Sequence, residues 1–172
     1  LHEMRGRGPD SAGFAVYGAP EAGSKLVELA EERAVDWPSI ATRLEAARGA
    51  GVEITPIANH AVLRTEGDGQ AARDWLIANV PEVTVLSVGR SIELFKGVGD
   101  PDAVADRFGL AGRSGTHAIA HTRMATESAV TTAGSHPFST GADTCLVHNG
   151  SLSNHNGLRR SLEASGERFQ TE

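Results

Sequence analysis

With 172 residues the chain is long enough for one domain with a substantial core and too short for two full domains. Hydrophobic residues make up 40% and charged residues 22%, which excludes wholesale disorder, and a net charge of −6 disfavours nonspecific binding to nucleic acid or anionic lipid. No apolar run reaches the roughly 20 residues that span a bilayer, the opening "LHEMRGRG" lacks the apolar core of a signal peptide, and one cysteine makes neither an internal disulfide nor a multi-cysteine zinc site, so a cytoplasmic protein is expected.

A glycine-rich turn is expected over residues 6–10, followed by a strand in "SAGFAVYG". In "DWPSIATRLEAARGAG", Asp36 is a candidate N-cap, Ile40, Leu44 and Ala47 fall at helical intervals, and Gly49 and Gly51 supply a stop. "VEITPIANHAVLRTEG" reads as two short strands interrupted near Pro56 and Asn59, and "DGQAARDWLIANV" as a helix with Ala72, Trp75, Leu76 and Asn79 on one spacing. "VTVLSVGRSIELFKG" returns to strand, broken near Gly89, so residues 25–90 carry their own strands and helices and read as an inserted subregion. A short helix ends at Gly109, "GTHAIAHTRMAT" looks like a buried strand entering a polar turn, "TCLVHNG" is another strand, and "GLRRSLEASG" is a helix with Leu158 and Leu162 four apart, stopped by Gly166. Strands and helices without regular βαβ alternation indicate an α+β layered fold.

Cys145, the only cysteine, stands four residues before Asn149-Gly150. If "TCLVHN" is one strand, Cys145 and Asn149 are roughly 13 Å apart. An oxyanion donor must lie about 3 Å from the reacting oxygen, so this pair cannot serve together as nucleophile and oxyanion hole, and Cys145 reads as a core residue. Asn149-Gly150 is either a hairpin turn, which both residues favour, or a pair of donors converging on an oxyanion. Arg123 suits bidentate capture of a carboxylate, against the alternative of a surface arginine. The glycines of "RGRGPDSAG" match neither dinucleotide-binding nor P-loop spacing. His117 and His121 would sit roughly 13 Å apart on a strand, so no metal and no other cofactor is expected.

Taken together and in order, "RGPDSAG", "AHTRMAT", "SHPF" and "VHNGSLSN" resemble the class II glutamine amidotransferases of the N-terminal-nucleophile hydrolase superfamily. The resemblance covers the first part of the chain and everything from about Ser91 onward. It is closest to separate amidotransferase subunits that accompany glutamate-synthase-like or N-methylglutamate-synthase-like partners. It implies an αββα four-layer sandwich, here incomplete at both ends, in which an N-terminal cysteine attacks the side-chain amide of L-glutamine. The cysteine's own α-amino group is the base, a glutamyl thioester forms, and ammonia passes to a synthase subunit. By the same resemblance Asn149 and Gly150 would form the oxyanion hole and Arg123 would hold the substrate α-carboxylate. Thr126 would line the pocket, Arg7 would lie near the nucleophile, and His136 would support the pocket. Asp10 and Ser11 would tie the first turn to the sheet.

Three departures stand out. Glu127 occupies a place where the family has histidine. The nucleophilic cysteine is expected upstream of Leu1, and an acidic motif whose aspartate binds the substrate α-amino group is expected about where Gln170-Thr171-Glu172 ends the chain. Both ends therefore read as cut, and the chain alone is expected to be inactive. The alternative function is a non-catalytic scaffold or regulatory subunit that keeps the amidotransferase fold.

Overall fold

The computed structural model describes residues 1–30, 35–125, 129–150, 153–167 and 169. A 3-10 helix at His2–Arg7 replaces the first half of the expected turn and delivers the chain to strand β1, Ser11–Tyr17. All seven residues of β1 are buried, because it is the middle strand of a three-stranded antiparallel sheet and is covered on both faces. Its neighbours are β6 (Ile92–Val98) and β7 (His117–Arg123).

Between β1 and β6 the chain builds a second antiparallel sheet from β2 (Ser24–Leu29), β3 (Val52–Ile57), β4 (His60–Thr65) and β5 (Thr84–Gly89), in the order β3-β4-β2-β5. Two helices accompany it. Helix α1 (Trp37–Arg48) starts where the Asp36 carboxylate accepts the Ser39 N–H at 3.0 Å and stops at Gly49, whose φ of 66° is left-handed. Helix α2 (Gly69–Asn79) is capped by Asp68. Ile40 and Leu44 of α1 and Ala72 and Leu76 of α2 pack with Leu26, Leu63, Val85 and Val88 of the sheet, which covers one of its faces with helices.

The other face meets the first sheet. Val27, Leu29, Val62 and Leu86 share one apolar cluster with Ala12, Phe14, Val16 and Phe95. Residues 25–90, read from sequence as an inserted subregion, thus form a sheet of their own whose inner face closes the same core as β1 and β6. Helices, sheet and sheet are stacked as layers of an α+β fold.

Several elements depart from expectation for identifiable reasons. Pro56 does not interrupt the second sheet but lies within β3, an edge strand where a missing N–H is tolerated; the break falls at Ala58, with φ 54°, and Asn59. Strand β7 has no fully buried residue, and among the described residues its ladder runs only to β1, with one isolated bridge to Pro9. The strand expected over "TCLVHNG" is only β9 (Thr144–Leu146), paired with β8 (Phe138–Gly141), and residues 147–149 leave it without regular structure. Helix α3 (Pro101–Arg107) is capped by Asp100, and α4 (His155–Ala164) has no buried residue, leaving Leu158 exposed. No helix among the described residues is long and apolar enough to cross a membrane.

Candidate active site

The site is built on the face of β1, β6 and β7 that looks away from the second sheet. Antiparallel register sets Ser11 opposite Arg123 and Gly13 between Lys96 and His121, and paired residues share a face. The chain leaving β7 is held from below. Asp10 donates its N–H to the Arg123 carbonyl at 3.1 Å, and its carboxylate accepts the Ala125 N–H at 2.8 Å. Gly8 is required beside it, because a Cβ there would sit 2.6 Å from the Arg123 backbone nitrogen. The expected role of Asp10, tying the turn to the sheet, has this geometry. Ser11 is fully buried with its hydroxyl unpartnered.

Above the sheet passes a loop, residues 129–137. Gly13 admits it: a Cβ at that position would collide with the His136 carbonyl and the Lys96 side chain. Lys96, 3% exposed, donates to the carbonyls of Ala133 and Ser135, both at 2.8 Å, and reaches that of Pro137 at 3.5 Å. Arg123 reaches the same loop, with Nη1 at 3.4 Å from the Ala129 carbonyl and 3.5 Å from that of Gly134. Inside the loop the Ser135 hydroxyl donates to the Thr131 carbonyl at 2.8 Å.

His136 leaves this loop half-buried, its ring 4.6 Å from that of His121 and 4.7 Å from Phe138. Both histidines carry a buried, unpartnered Nδ1. Burial pushes His136 down to about 4, helped by the charges of His121, Lys96, Arg123 and His148; burial and then Arg123 lower His121. Both rings are therefore neutral near pH 7, and Arg123 and His148 lie within electrostatic reach of His136.

His148 leads directly into Asn149 and Gly150, both exposed. Gly150 has φ 152°, a conformation glycine adopts without strain. This segment is aimed by the β8–β9 hairpin, which Asp143 fastens to the β5–β6 turn. Its carboxylate accepts the N–H groups of Arg90, Ser91 and Ile92 at 2.8–3.0 Å, and its own N–H donates to the Val88 carbonyl at 3.0 Å. Burial pushes the Asp143 carboxyl up, but those three backbone donors hold it below the ordinary value. Cys145, on β9, is half-buried against the core and accepts a hydrogen bond from the Tyr17 hydroxyl at 3.2 Å.

The structure thus brings Arg123, His121 and His136 to one face of the first sheet. Arg7 stays exposed at the end of the 3-10 helix, and Thr126 lies outside the described residues. Sequence reasoning missed Lys96 and His121 as parts of this site. Lys96 had a signal: it follows Ile92 and Leu94 on the buried face of β6, where a third apolar residue is the default. A cavity of about 430 Å³ is also walled by Lys96, Ala133 and Phe138, but it runs along β5 to Gln70 and Arg73 of α2, and its walls include neither Arg123 nor Asn149.

No protein-family model matches the chain. It is 46% identical over 174 residues to the glutamine amidotransferase-like protein GlxB of Rhizobium meliloti, covering all of this chain and 58% of that protein. It is 34% identical over 183 residues to a putative glutamine amidotransferase of Methanothermobacter thermautotrophicus, covering 99% of this chain and 60% of the relative. A shorter likeness, 33% over 90 residues, links 52% of the chain to 15% of the glutamine–fructose-6-phosphate aminotransferase of Idiomarina loihiensis. The chain spans about three fifths of the length of the first two relatives. Over its whole length the chain is thus similar to proteins named as glutamine amidotransferases.

Proposed function

We propose that the protein carrying this chain is a class II, N-terminal-nucleophile glutamine amidotransferase. It hydrolyses the side-chain amide of L-glutamine through a cysteinyl thioester and passes the ammonia to a synthase partner. The observation that carries the reading is an Arg123 guanidinium held on loop carbonyls in a chain similar over its whole length to proteins named as glutamine amidotransferases.

In this reading the Arg123 guanidinium pairs with the substrate α-carboxylate, a charge-assisted contact that orients the amide. The nucleophile is a cysteine upstream of Leu1; Cys145 is unsuited, since its sulfur is half-buried and accepts the Tyr17 hydroxyl. Attack forms a carbon–sulfur bond and moves the carbonyl electron pair onto oxygen, where the Asn149 side-chain amide and the Gly150 N–H receive it. Collapse breaks the carbon–nitrogen bond, and the nitrogen leaves as ammonia with the proton that the nucleophile's α-amino group took from the thiol. Water then cleaves the thioester to glutamate. Arg7 lies beside the nucleophile, and neutral His136 packs the pocket wall without carrying protons. The stacked sheets with helices outside one of them are compatible with the αββα sandwich of such enzymes.

The test is glutamine turnover by the full-length protein, with glutamate and ammonia formed in equal amounts and hydroxylamine trapping a γ-glutamyl hydroxamate. Arg123→Ala should raise KM for glutamine roughly 10- to 100-fold, the worth of a charged hydrogen bond. Glutamine binding without turnover would instead establish the non-catalytic scaffold.

A further inference from the structure

We infer that Lys96 is a positioning residue for the carboxylate end of the substrate site: its buried ammonium fixes the 129–137 loop, and that loop aims the Arg123 guanidinium. The inference rests on the glutaminase reading of Arg123.

An ammonium taken out of water costs several kcal/mol unless its protons are satisfied, so a buried lysine on an otherwise apolar strand face needs a structural reason. Here the reason is a set of loop carbonyls. Lys96 Nζ takes those of Ala133 and Ser135 at 2.8 Å and approaches that of Pro137 at 3.5 Å, while standing 4.4 Å from the centre of the Phe138 ring. The intervening carbonyl, Gly134, points the other way and meets Arg123 Nη1 at 3.5 Å, with Ala129 adding a second contact at 3.4 Å. Alternate carbonyls of one short stretch therefore serve two cations. Fixing residues 133 and 135 on Lys96 leaves the peptide between them little freedom to rotate, and this sets the direction in which Gly134 presents its oxygen to Arg123. The base of the arrangement is equally constrained: Gly13, the partner of Lys96 on β1, leaves no room for the loop to settle differently. Lys96 touches no reacting atom in this scheme and acts through Arg123 alone.

The experiment compares Lys96→Met with wild type in the full-length protein on two substrates, L-glutamine and L-glutaminamide, the second lacking the α-carboxylate. We expect Lys96→Met to raise KM for glutamine about tenfold with kcat within about twofold, as a loss confined to binding would. Hydrolysis of the glutaminamide side chain should be unchanged, and Lys96→Met combined with Arg123→Ala should be no worse than Arg123→Ala alone. Equal losses on both substrates, a fall in kcat at constant KM, or additive losses in the double variant would overturn the inference. Should Lys96→Met fail to fold by circular dichroism, Lys96→Gln, which keeps two donors, is judged by the same criteria. Wild type that turns over neither substrate would overturn the functional reading and this inference together, whereas unselective losses in an active enzyme overturn the inference alone.

Discussion

Cys145 and Asn149 are separated by three residues and by their surroundings. The Cys145 thiol accepts the Tyr17 hydroxyl, and the Tyr17 ring is stacked on His117 at 4.3 Å, so side chains of β9, β1 and β7 interlock. Burial and the Cys145 contact push the Tyr17 phenol up, which keeps it a donor at any ordinary pH. Asn149 is exposed on the segment that follows. Replacing each with alanine in the full-length enzyme should therefore have opposite results. Cys145→Ala is expected to keep kcat/KM within about twofold, while Asn149→Ala is expected to lower kcat by about 10²- to 10³-fold, the range for an oxyanion donor. Steady-state kinetics decide the matter, and loss of activity in a folded Cys145→Ala protein would return the nucleophile to this chain. Residue type alone left Arg123 open to a surface role and Asn149-Gly150 to a hairpin turn; the ordered motifs around them are what pointed to a site. Residue type did not suggest Lys96, whose role depends on where a loop 37 to 41 residues later lays its carbonyls.

Among the elements, those governed by local chemistry were legible. Helix α1 begins at Asp36 and ends at Gly49 because a carboxylate satisfies a free N–H and a glycine turns left-handed, both within a few residues of chain. Strand β7 was legible as a strand, but not that none of its residues is fully buried, since burial depends on what packs against it. The 129–137 loop was marked in the sequence only by the "SHPF" at its end; its path is set by Gly13 beneath it and the two cations it bridges. Gly13→Ala is accordingly expected to cost about 1–3 kcal/mol, the range for overpacking, because neither the His136 backbone nor the Lys96 stem yields easily. Denaturant unfolding of the variant measures this, and an unchanged midpoint would show that the loop is not seated on β1 as described.

At the scale of the whole molecule, the two sheets are joined by an apolar core and by a polar network. Lys25 of β2 and Arg64 of β4 reach Glu93 of β6 at 3.5 and 3.2 Å, Arg113 closes on the other carboxylate oxygen, and Glu21 pairs with both Lys25 and Arg64. A tie of this kind holds two sheets in one register, although burying its charges offsets much of the Coulomb gain.

The interior also makes stability depend on pH in both directions. Burial, then the charges of Lys96 and Arg107, push His60 down to about 3, and His136 is held at about 4. A group depressed in the folded state contributes stability above its unfolded value near 6.5 and loses it as pH falls towards the folded value. Burial raises Glu28, both of whose carboxyl oxygens are unpartnered, so its contribution is present below its ordinary value of 4.5 and is lost as pH rises. Thermal unfolding should therefore show Tm falling as pH drops from about 6.5 to about 4. Glu28→Gln should raise Tm near pH 8 while leaving it little changed near pH 4.5, since only ionisation in the unfolded chain is removed. A Glu28→Gln effect independent of pH would contradict the neutral buried carboxyl.

What the sequence determined by itself was the composition of a layered α+β domain, its helices with the cap and stop of α1, most strands, and the residues of the candidate site. These follow from interactions between residues close in the chain, or from chemistry that few other side chains supply. Only the tertiary structure decided that residues 25–90 close the same core as β1, that β7 lies at an edge, and that Lys96, Gly13 and the 129–137 loop combine around Arg123. Those outcomes depend on contacts between segments tens of residues apart, whose energies no local pattern encodes.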